Sequence, residues 1–186
     1  MPIPLGILAQ FRQAAAGDFV LLETQVLGST TASVTFSNLA TYASTYKHLQ
    51  IRVVGRVSAL NNDGRFAFLR FNSDSGNNYS NHGLFGQNGS VASYFGADTG
   101  VYLQRFDSDG NTANAFGVSI IDILDPFVTT KNTTVRTLGG RTAAEAGIYL
   151  TSGLWLNTAA LTSALITPAN GSWVTGSRFS IYGIRG

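Results

Sequence analysis

The chain has 186 residues, enough for one domain whose core removes roughly 70% of the unfolded surface from water. Only 12% of the residues are charged, about half the ~25% of ordinary domains, while 44% are hydrophobic, which excludes a disordered chain. A net charge of +2 is too small for an electrostatic nucleic-acid surface, and two histidines with no cysteine leave no disulfide, no thiolate metal site and little for an imidazole one.

Taken in chain order, the sequence divides once. Residues 1–17 are apolar and alanine-rich, and residues 18–186 read as short strands separated by turns. In the first segment Pro2, Ile3, Pro4, Leu5, Ile7, Leu8 and Phe11 are too apolar for a solvated tail. It reads either as a strap on its own domain or as a peptide docked on another subunit. Prolines cut the entropy lost on docking, so the expectation is a particle-anchoring peptide. No basic residue precedes the apolar stretch, so no export signal is expected, and no run approaches the ~20 apolar residues of a membrane span. Neither nucleic acid nor membrane insertion is expected.

From Asp18 onward period-two alternation recurs. The pattern predicts a strand over Phe19–Leu27, a turn at Gly28-Ser-Thr-Thr, and a returning strand over Ala32–Phe36, together a hairpin. His48–Ser58 follows with Leu49, Ile51, Val53 and Val57 on one face and Gln50, Arg52, Val54 and Arg56 on the other. Further strands are predicted over Arg65–Phe71, Tyr79–Phe85, Val101–Leu103, Phe116–Leu124, Thr133–Leu138, Gly147–Leu156, Leu161–Thr167 and Arg178–Ile184. Turn signals separate them, among them Asp107-Ser-Asp-Gly-Asn and Gly139-Gly140. About ten strands without a βαβ pattern predict an all-β fold, an antiparallel β-sandwich of jelly-roll type, with under about a tenth of its residues helical.

The chemistry-bearing residues form no motif. Asp107, Asp109 and Asn111 alternate as calcium ligands do, but an EF-hand counted from Asp107 puts Thr112 where glycine is needed and Val118 where the bidentate glutamate belongs. His82 lies near Asp74 and Ser80 without a nucleophile elbow, and His48 opens a strand beside Lys47. Nothing in the spacing of Asp122, Asp125, Glu23 and Glu145 selects an acid pair for glycoside hydrolysis. Sequons at Asn78, Asn88, Asn132 and Asn170 are expected by chance in so Asn-, Ser- and Thr-rich a chain. No catalytic residue, metal or cofactor is expected. Aromatic residues Tyr42, Tyr46, Tyr79, Phe85, Tyr94, Phe95, Tyr102 and Phe106 concentrate in the middle third among Asn, Ser and Gly. Such a set packs a core or presents rings to a partner. Of these, Tyr79, Phe85, Tyr94, Phe95 and Tyr102 are candidates for receptor or subunit contact.

Several strings carry a resemblance: Tyr46-Lys-His-Leu-Gln-Ile-Arg, Leu69-Arg-Phe-Asn-Ser-Asp-Ser-Gly-Asn-Asn-Tyr, Ile120-Ile-Asp-Ile-Leu-Asp, Ser152-Gly-Leu-Trp-Leu-Asn-Thr, Gly171-Ser-Trp and Ser177-Arg-Phe-Ser-Ile-Tyr-Gly-Ile-Arg-Gly. Together with the start Met1-Pro-Ile-Pro-Leu-Gly-Ile-Leu-Ala, they resemble small structural proteins of tailed bacteriophages. The resemblance implies a virion protein, a β-sandwich assembled in many copies in the host cytoplasm, and carries over no catalytic residue. The expected function is a short tail or neck fibre, held by its N-terminal peptide with the sandwich outward for host contact. A capsid decoration protein is the alternative and a carbohydrate-binding module the third reading. Expected partners are other copies of the chain as a homotrimer, a tail adaptor, portal-proximal or capsid protein, and a host surface glycan.

Overall fold

Alternation of apolar and polar side chains decides both where strands form and which face each buries. The computed structural model describes residues 17–60, 65–142 and 146–186. These form β1 (Phe19–Val26), β2 (Val34–Phe36), β3 (His48–Val57), β4 (Arg65–Phe71), β5 (Tyr79–Gln87), β6 (Ser90–Asp98), β7 (Val101–Ser108), β8 (Gly117–Leu124), β9 (Thr133–Arg141), β10 (Gly147–Trp155), β11 (Ala164–Pro168) and β12 (Arg178–Ile184). Among the described residues the helical structure is one 3-10 turn at Leu39–Tyr42. The protein is an all-β sandwich. The anchoring candidates Pro2, Ile3, Pro4, Leu5, Ile7, Leu8 and Phe11 lie outside the described residues.

One sheet runs β1-β12-β3-β8-β9-β10-β5-β6 and the other β2-β11-β4-β7, with antiparallel neighbours in each. They join at one corner, where Arg56 and Val57 of β3 run parallel to Asp107 and Ser108 of β7. Three local expectations are corrected. β1 and β2 are no hairpin: β1 pairs with β12 and β2 with β11, so Gly28 to Thr31 carry the chain from one sheet to the other. Short-range turn residues cannot specify a partner 130 residues away; burial of Val34 and Phe36 between the sheets selects it. Gly139 and Gly140 are strand residues, because β8 and β10 pair on both sides of them. A strand at Ser90–Asp98, absent from the sequence reading, forms because β5 pairs with it along its whole length.

The core fills the space between the sheets. Trp173 meets Phe106 and Phe179 edge-on at centroid distances of 5.0 and 5.1 Å. Its indole lies against Gly55, where a Cβ would come within 2.7 Å of Cζ3. Trp155 packs 5.5 Å from Phe71 and stacks on Tyr79 at 6.5 Å. Each such ring contributes roughly 1.5–3 kcal/mol on full burial.

The first sheet is wider than the second and curls around it. On β7, Val101 and Leu103 face the core, while Tyr102 shares the opposite face with Phe66 and Phe68 of β4. That face is met by the β5–β6 end of the wide sheet: Tyr94 of β6 lies 5.4 Å from Tyr102, and the Tyr102 hydroxyl donates to Asp98 at 2.6 Å. Arg70 completes the seam by donating to the Thr99 carbonyl at 2.8 Å. The wrap covers β7, which would otherwise end its sheet as an open edge.

Candidate functional site

The wrap leaves a cleft. It holds about 340 Å³, at the lower end of the ~300–1,000 Å³ usual for small-molecule pockets. Its walls are Phe66 of β4, Phe85 and Gln87 of β5, Tyr94 to Ala97 of β6, Tyr102, Gln104 and Arg105 of β7, and Tyr149 of β10. Two local features shape it. The β4–β7 register shifts between Phe66 and Phe68, and Gln104 sits at φ +72°. This bulge gives β7 an extra residue, so Tyr102 and Arg105 stay on the face of Phe66 while Gln104 turns inward. Opposite, Gly83 has no side chain, and the Tyr94 ring folds over it; a Cβ there would overlap the ring.

The rings form a continuous set. Phe85 lies 6.5 Å from Tyr94 and 6.0 Å from Tyr149, and Phe66 lies 5.6 Å from Tyr102. The Arg105 guanidinium sits 4.9 Å over the Phe66 ring and donates to Gln87 at 3.3 Å. The tyrosine hydroxyls are engaged within the protein. Tyr94 bonds Thr151 at 2.8 Å and accepts from the Gln104 amide, and Tyr149 donates to Gln87 at 3.1 Å. Burial pushes the Tyr94 phenol upward and that of Tyr102 to about 12, the latter reinforced by Asp98. The site is therefore aromatic and uncharged apart from Arg105 and the Asp98 carboxylate engaged by Tyr102.

Of the contact residues singled out in the sequence, the structure gathers Phe85, Tyr94, Phe95 and Tyr102 around this cleft. Phe95 only borders it: the residue pairs with His82, so its ring shares the outer face of the sheet, and it is 87% exposed. Tyr79 leaves the set. It is fully buried, its hydroxyl accepting from the Phe71 amide at 2.9 Å and donating to the Asp74 carbonyl at 3.1 Å. No local pattern marks out Phe66, Gln87, Gln104, Arg105 and Tyr149, because their convergence depends on the wrap.

The remaining candidates are scattered. His48 Nδ1 accepts the Asp125 amide at 3.0 Å, and Asp125 also pairs with Lys131. Asp122 accepts from the Gln50 amide at 2.8 Å on the outer face of the wide sheet. His82 lies exposed on that same outer face, whereas the Asp74 carboxylate is held by Trp155, Gly76 and Asn78. In the loop weighed for calcium, the carbonyls of Thr112 and Ala115 accept from Arg56 at 2.9 and 2.8 Å, and Asp109 pairs with the same guanidinium. That loop is organised around a side-chain cation. Among the described residues no three His, Asp or Glu side chains are grouped as metal ligands.

No family model, no curated protein and no solved structure matches the chain.

Proposed function

We propose that this protein is a structural subunit of a bacteriophage particle, a short tail or neck fibre held by its N-terminal segment with the sandwich turned outward for host contact. The supporting observation is the outer face of the wide sheet. Across β8, β9, β10 and β5 it presents Ile120, Leu138, Leu150 and Leu84 in one cross-strand row, each 40–51% exposed. Beside them Val54, Val118, Ile148 and Val91 make a second exposed row, with Gly140 and Gly86 between. On the other side of the first row lies a polar row of Gln50, Asp122, Arg136, Ser152 and His82. An apolar field with a polar border has the anatomy of a protein–protein interface.

We assign that face to further copies of the chain, expected as a closed trimer. Asp122 and Arg136 face each other across its β8–β9 border, so that border carries no net charge to repel further copies, and closed homo-oligomers are the usual solution for identical chains. The strand order adds support by analogy of fold. β1-β12-β3-β8 against β2-β11-β4-β7 follows two Greek keys, a jelly roll into which β5–β6 and β9–β10 are inserted. Jelly rolls occur in viral capsid and lectin domains.

Electron microscopy of particles labelled with an antibody against the sandwich tests the placement. Label at the tail or neck supports it; label spread over the shell assigns the chain to capsid decoration; unlabelled particles overturn the virion reading. Light scattering tests the assembly. A trimer that becomes monomeric in Leu138→Glu, with the fold retained, is the expected result, and a monomeric parent protein refutes it.

A further inference from the structure

We infer that the cleft beneath the β5–β6 end of the wide sheet is a binding site for a neutral pyranose unit of a saccharide. This deepens the host-contact part of the proposed function and rests on it for the source of the ligand, while the chemistry of the site is read from its walls. Flat rings of Phe66, Phe85, Tyr94, Tyr102 and Tyr149 enclose a space of about 340 Å³. The hydroxyls of Tyr94, Tyr102 and Tyr149 are tied to Thr151, Asp98 and Gln87, so the rings are held in place by bonds inside the protein. Rings positioned this way offer their faces with little ordering cost on binding.

The polar groups among them are the amides of Gln87 and Gln104 and the guanidinium of Arg105. Amides both donate and accept, which suits hydroxyl groups. A purely aliphatic ligand would make no use of this polar part of the wall. An anionic ligand would meet one guanidinium, already stacked on Phe66, and the nearby Asp98 carboxylate. A pyranose has an apolar C–H face for a ring and a hydroxyl edge for amides, and so matches both parts of the wall. The room for it is concrete at Gly96. This residue pairs with buried Asn81, so its missing side chain would point to the inner face, and a Cβ there would meet nothing within 4 Å.

The test is saturation-transfer NMR and calorimetry on the purified full chain with methyl β-glucopyranoside, methyl β-galactopyranoside and N-acetylglucosamine, beside glucuronate and octanoate. Binding of at least one neutral sugar is expected, with a dissociation constant on the order of 1 mM. Gly96→Leu fills the cleft without removing a contact and should weaken that binding at least tenfold. Phe85→Ala should weaken it roughly three- to tenfold. Val26→Ser, on β1 at the opposite end of the wide sheet, should leave it unchanged. Failure of all three neutral sugars, binding of octanoate or glucuronate alone, or binding untouched by Gly96→Leu overturns the assignment. Particle labelling is independent of these outcomes: a Gly96→Leu chain still found on particles would leave the structural role standing while the sugar site is decided by calorimetry.

Discussion

At the scale of single residues, the hydrogen bonds around one carboxylate show how the low charge of this chain is managed. Asp74 is held by the Trp155 indole N–H at 2.8 Å, the Gly76 amide at 2.9 Å and the Asn78 amide group, and the Trp155 bond above all keeps its carboxyl below the ordinary 3.8. A depressed folded value means the unfolded chain takes up the proton first as pH falls. The stabilisation is thus complete above about pH 4 and lost through the depressed folded value. Asp74→Asn is expected to cost about 1–2 kcal/mol at neutral pH. The difference in melting temperature between the two proteins should shrink below pH 4, and a constant difference would contradict the assignment. At the alkaline end the sign reverses. Burial pushes Tyr79 and Tyr102 from 10.0 to about 12, so the folded state keeps phenolic protons that the unfolded chain has lost. Stability should decline between about pH 10 and 12. Ultraviolet titration should show part of the phenol signal of the folded protein appearing only as the pH nears 12; a titration already complete near pH 10 would refute it.

At the scale of elements, strands with clean alternation were legible and those shaped by a neighbour were not. β3, β4 and β12 appear where the pattern puts them, because each has one face against the core. β6 escapes the pattern because both faces of Ser90–Asp98 are largely exposed, and its pairing with β5 alone makes it a strand. β7 reads only as far as Leu103, since the bulge at Gln104 breaks the period. The close fit of β6 on β5 depends on Gly83. Gly83→Ala is expected to lower stability by about 1–3 kcal/mol through overpacking against Tyr94, a fall of roughly 2–4 °C per kcal/mol. The same change should alter the Tyr94 environment in near-ultraviolet circular dichroism. An unchanged melting curve would mean that Tyr94 does not close over β5 as described.

At the scale of the whole molecule, the proposed assembly rests on residues 1–17 and on the outer face of the wide sheet. Deleting residues 1–17 should leave the melting temperature within about 2 °C while particles lose the protein; a truncated chain that misfolds would make the segment part of its own core. The sequence by itself determined the all-β class, the low-charge surface and the buried faces of the strongly alternating strands, because burial on one side of a strand is a local, periodic demand. It also marked Phe85, Tyr94 and Tyr102 as aromatic residues in a polar context. Only the tertiary structure decided that β1 and β2 belong to different sheets, that Tyr79 is core, and that the wide sheet curls round β7 to bring Phe66 and Tyr149 beside them. Those outcomes depend on pairings between residues far apart in the chain. Such pairings are selected by how the sheets bury one another, and no local pattern encodes that.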